Sequence, residues 1–133
     1  MKTLAKPVVF TMAVTEHMMI KWLPRKNPIA MVEMFGPVVA VETFGHLIEN
    51  KKIITLIDSE CVLGALVKGY SSREDMCELV GLFWKQIAEL NSLMYLDRVP
   101  TDANPSDDPS RNRFEEAERL GWVFADPIVP LEC

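Results

Sequence analysis

Lys51-Lys52-Ile53-Ile54-Thr55-Leu56-Ile57-Asp58 leads directly into Ser59-Glu60-Cys61-Val62-Leu63-Gly64-Ala65-Leu66-Val67-Lys68-Gly69 and then, past Tyr70, into Ser71-Ser72-Arg73-Glu74. Two lysines open a nearly continuous apolar run that ends in an acid, the pattern expected of a buried central strand whose last residue, Asp58, emerges at the C-terminal edge of a sheet. Ser59 is placed to cap a short helix through Lys68, closed by Gly69. Ser71 with Glu74 spells a capping box for a longer helix to about Leu90. The next β-prone stretch is Ser92 to Val99. Strand, two helices and strand in that order predict a crossover between parallel strands, and with it an α/β domain.

Toward the N-terminus, Pro7 to Val14 reads as a strand rich in β-branched and aromatic residues, followed by a polar and aromatic connector through Trp22. Asn27 and Pro28 supply a helix cap and the favoured first-turn proline. Ile29, Val32, Phe35, Val39 and Phe44 then recur at helical spacing, predicting a helix over about 28–46. Pro37 within it predicts a kink or a late start, because it cannot donate to the Glu33 carbonyl. Toward the C-terminus, Pro100 to Arg111 is a loop dense in Pro, Asp, Asn and Ser. A last helix, about Arg113 to Leu120, stops at Gly121. Residues 122–133, with Pro127 and Pro130, read as an irregular tail behind a domain spanning 1–121.

The 133 residues suit one core, and 49% hydrophobic with 25% charged residues is the balance of a packed globular domain. Apolar stretches such as Val38 to Val41 fall short of the ~20 residues of a membrane span, and no signal-peptide pattern opens the chain. No membrane partner is expected. Cys61, Cys77 and Cys133 are an odd set without CxxC spacing, which argues against a disulfide framework and a zinc site. A reducing, intracellular location, cytoplasmic or nuclear, is the expectation. The net charge of −5 weighs against a tight sequence-independent nucleic-acid binder and leaves Lys51 and Lys52 as a local basic edge.

Glu33, Asp58 and Asp107 stand on three separate elements: a helix, a strand end, and the loop Asp102-Ala-Asn-Pro-Ser-Asp107-Asp-Pro-Ser-Arg111. Carboxylates converging from separate elements are what two-metal phosphodiester hydrolysis needs, with the cations ~3.5–4 Å apart around the attacking and leaving oxygens. Each acid also has an ordinary reading: solvation for Glu33, helix capping beside Ser59 for Asp58, an Asx turn for Asp107. Phe83, Trp84 and Ile87 share helical spacing and read as core rather than as a base-stacking platform. His17 and His46 read as surface or packing residues. Cys61 and Cys77 read as small apolar helix residues.

Three segments carry a family resemblance. Ile29-Ala-Met-Val-Glu33, the strand and helix from Ile53 through Asp58 to Ser71, and Arg98-Val-Pro-Thr-Asp-Ala-Asn-Pro-Ser-Asp107-Asp-Pro-Ser-Arg111 resemble, in order, the last three acid-bearing motifs of RNase H-like domains. The likeness is to those that follow reverse transcriptases in retrotransposons and pararetroviruses, and it spans about residues 8–121. It implies an RNase H-like three-layer fold with a mixed, mostly parallel sheet. It also implies Glu33, Asp58 and Asp107 as catalytic ligands of two Mg²⁺ ions, an RNA–DNA hybrid or other nucleic acid as partner, and the rest of a reverse transcriptase polyprotein as context.

The family's first strand, of the F-T-D-A-S kind, carries an aspartate between both metals. Its nearest counterpart here is Phe10-Thr11-Met12-Ala13-Val14, and a Met12 thioether does not ligate a hard cation. Only residues 13–32 lie between Met12 and Glu33, and Trp22 and Ile29 fall as in the family's third-strand segment, so a register in which the chain starts at the third strand fits better. On either register the first carboxylate is missing, which implies an impaired nuclease or, alternatively, a non-catalytic domain of the same fold that binds nucleic acid or protein. It also implies a vacancy beside strand 51–58, to be filled by residues 7–14 as a parallel neighbour or left open.

Overall fold

The computed structural model describes residues 7–20, 22, 29–100 and 115–133. In chain order the elements are β1 (Val8–Val9), α1 (Glu16–Met19), α2 (Ile29–Ile48), β2 (Lys52–Ile57), α3 (Glu60–Lys68), α4 (Glu74–Glu89), β3 (Leu93–Arg98), α5 (Glu115–Arg119) and β4 (Val123–Phe124). The chain is mixed α/β, and among the described residues the strand pairings, β2 with β3 and β1 with β4, are parallel.

Local chemistry sets the ends of the central unit. Ser59 Oγ accepts from the Val62 amide at 3.3 Å, satisfying one of the donors left open at the start of α3. Gly69 ends that helix with φ 81, where a side chain is disfavoured, and its amide donates to the Ala65 carbonyl. The capping box expected from Ser71 and Glu74 does not form. Ser71 lies two residues too early, since Arg73 is the N-cap and the Ser71 hydroxyl accepts from the Arg73 amide at 3.3 Å.

Helix α2 runs unbroken through Pro37, so the late start is excluded. It is long and apolar enough to cross a membrane by length and composition. Packing accounts for that composition: Met31, Met34, Phe35, Val38, Val39 and Val41 are buried in the core with Val62, Leu66, Val80 and Phe83 of α3 and α4. Trp84 lies against the same helices, its indole donating to the Leu66 carbonyl at 3.0 Å. Phe83, Trp84 and Ile87 are therefore packing residues.

Strand β2 departs from expectation. Its burial alternates, with Ile53, Thr55 and Ile57 turned toward the helices and Lys52, Ile54 and Leu56 exposed. Strand β3 alternates in phase, Met94 and Leu96 packing on the core while Leu93, Tyr95 and Asp97 face out. Among the described residues the β2–β3 sheet is thus covered on one face, and β2 has a single strand partner rather than a central position.

Residues 7–14 do not move beside β2. Val8 and Val9 instead pair with Val123 and Phe124, so the expected strand is two residues long and the expected irregular tail contains its partner. Phe10, Trp22 and the residues around Ile128 meet α2. Phe10 meets Phe44 with ring centroids 5.5 Å apart, and Trp22 meets Phe35 edge-on at 5.9 Å. The Ile128 amide donates to the buried Thr43 hydroxyl at 2.8 Å. Met12 packs against the core with Phe10 and Val14.

Candidate functional site

Asp58 is half-buried at the point where β2 turns into α3, flanked by the Ser59 cap. The adjoining strand end carries Arg98, opposite Ile57 in the ladder, whose guanidinium pairs with Glu60 of α3 at 3.3 Å. This pair brackets the C-terminal edge of the sheet, where ligands collect in open parallel sheets. Both partners are at least half exposed, so their attraction is largely screened by water.

Glu33 is exposed, one turn into α2. The turn between α2 and β2 is short, and the Ser92 hydroxyl at the start of β3 donates to the Ile48 carbonyl at 2.6 Å, fixing the C-terminal end of α2 beside the starts of both strands. Ala30 and Met31, at the other end of α2, share a groove with Glu60 and Cys61 at the start of α3. Helix and strand therefore run in opposite senses. Stepping back from Ile48 to Glu33 covers about 22 Å of helix, and stepping forward from Lys52 to Asp58 covers about 20 Å of strand.

Asp107 and Arg111 belong to the segment 101–114, outside the described residues, as does the family-like loop around them. Among the described residues no three His, Cys, Asp or Glu side chains gather as a metal site. The described residues line grooves on the surface, two of which stand out. One is lined by Met18, Trp22, Phe35, Leu79 and Cys133, the other by Met31, Cys61, Lys68, Tyr70 and Arg73. Neither is lined by Glu33 or Asp58. His46 is exposed in the last turn of α2, and Cys61, expected as a small apolar residue, is exposed on α3.

Two features lay beyond the sequence reading. The Glu60–Arg98 pair joins residues far apart in the chain, with no local pattern to announce it. The outer face of β2 and β3 was concealed because Ile54 and Leu56 are as apolar as the residues turned inward. The chain matches no protein-family model, no curated protein and no solved structure.

Proposed function

We propose that the chain is an RNase H-like domain of the retroelement type, without the family's first-strand aspartate among these residues, whose relatives hydrolyse the RNA strand of an RNA–DNA hybrid with two Mg²⁺ ions. The observation that carries the reading is the order of three acid-bearing motifs: Glu33 on a helix, Asp58 at a strand end, and Asp107 within an Asn-Pro-Ser-Asp-Asp-Pro-Ser-Arg loop. The parallel unit from β2 to β3, with Asp58 closing its first strand, supports it. In the proposed site these three carboxylates hold the cations, and Arg111 steadies the loop or a phosphate.

Activity is crippled on this reading, because no aspartate precedes Glu33 in these 133 residues to serve as the family's first metal ligand. The experiment is to extend the chain at its N-terminus with the family's opening strands, including one of the F-T-D-A-S kind, and assay a labelled hybrid in Mg²⁺. Cleavage that appears with the extension and disappears on Asp58→Asn supports the reading. A folded extended protein that neither binds nor cuts the hybrid defeats it.

A further inference from the structure

The outer face of the β2–β3 sheet presents three cross-strand rows, Lys52 with Leu93, Ile54 with Tyr95, and Leu56 with Asp97. Its apolar members are well exposed: Ile54 74%, Leu56 55%, Leu93 56% and Tyr95 59%. They form a diagonal band across the face, from Leu93 through Ile54 and Tyr95 to Leu56. Lys52 and Asp97 occupy the two remaining corners. A contiguous apolar patch rimmed by charge marks an interaction surface.

The corners choose the occupant. Lys52 opens β2 and Asp97 lies near the end of β3, so the basic and acidic corners sit at opposite ends of the strands. A second copy laid on this face with its strands antiparallel brings its Asp97 to the end that holds Lys52, twice over by symmetry. Parallel stacking instead sets Lys52 against Lys52 and Asp97 against Asp97. The face is complementary to itself in one orientation, as a closed two-fold contact requires.

We propose that two copies of the chain associate face to face through the outer surfaces of β2 and β3, strands antiparallel, with Ile54 and Tyr95 at the centre and a Lys52–Asp97 pair at each end. Sheets packed in this way lie about 10 Å apart. This inference rests on the exposed face and its charges alone and stands apart from the reading of Glu33, Asp58 and Asp107.

Sedimentation of the full chain through the micromolar range tests it, with circular dichroism confirming that each variant is folded. A concentration-dependent dimer is expected, abolished by Tyr95→Glu. Lys52→Asp and Asp97→Lys should each weaken it roughly tenfold, since each reversal turns two symmetric attractions into repulsions, and the double reversal should restore it. A monomer at every concentration overturns the proposal, whether its sheet face proves open or covered by its own chain. So does a dimer indifferent to Tyr95→Glu, or a double reversal no tighter than the single ones.

Discussion

The side-chain amide nitrogen of Gln86 donates to the Val38 carbonyl at 3.1 Å and to the Glu42 carboxylate at 3.1 Å, tying α4 to α2 from a position only 5% exposed. The amide oxygen of the same residue is buried and, among the described residues, has no hydrogen-bond partner. One half of the group therefore stabilises the helix pair while the other half opposes it. Gln86→Met removes both halves and keeps most of the volume, so a loss of about 1 kcal/mol or less is expected. Gln86→Glu sets a second carboxylate against Glu42 and the Val38 carbonyl and should cost about 2–4 kcal/mol near neutral pH. Urea denaturation of the two variants checks the order.

The caps of α3 and α4 should respond unequally to the same change. Ser59→Ala leaves the Val62 amide without its acceptor and is expected to cost about 1 kcal/mol. Ser71→Ala removes only a bond to the Arg73 amide ahead of the helix, in exposed surroundings, and should fall within about 0.5 kcal/mol of the parent. Gly69→Ala is a useful reference, since φ 81 penalises a side chain by about 1 kcal/mol. Equal losses at Ser59 and Ser71 in thermal melts would mean that Ser71 caps α4 after all.

What the chain reveals in advance divides by range. Ser59 and Gly69 were readable because a cap is a matter between a side chain and amides one turn away. Ile54 and Leu56 misled because two apolar faces look alike in sequence whether one or both are covered, and only the phase of β3 shows which face is inward. The pairing of Val8 with Val123 spans nearly the whole chain and rests on two residues per strand, too few to leave a period. Helix α1, capped by Thr15, has four residues and escaped for the same reason. Of the site, Glu33 and Asp58 were legible as residues at element ends.

Thr43 holds the segment around Ile128 through a hydroxyl that is 3% exposed. Thr43→Val keeps the shape and removes the acceptor, leaving the Ile128 amide to find water or open. A loss of about 1–2 kcal/mol is expected. Exchange at the Ile128 amide should accelerate more than at core amides such as Val80, because the fault lies in the docking of one segment. Uniform acceleration across both would instead mean that segment 123–133 unfolds only with the whole domain.

The chain on its own is expected to cleave an RNA–DNA hybrid at no measurable rate in Mg²⁺. On the proposed reading Glu33, Asp58 and Asp107 would hold the metals, which would supply activation of water and stabilisation of the leaving oxygen, and the set would be short of one carboxylate. No aspartate precedes Asp58 in these 133 residues, and magnesium would give up its water reluctantly to an incomplete set of ligands. Binding to nucleic acid should also be weak, because 19 acids outnumber 14 Lys and Arg and leave only local basic edges such as Lys51 and Lys52 with which to displace counterions. A gel assay on a labelled hybrid, run beside Asp58→Asn and Glu33→Gln, separates the possibilities. No cleavage by any of the three is the expected result. Brisk cleavage by the parent that either substitution abolishes would mean that another oxygen replaces the missing ligand, and cleavage that survives both would place the chemistry away from Glu33 and Asp58 altogether.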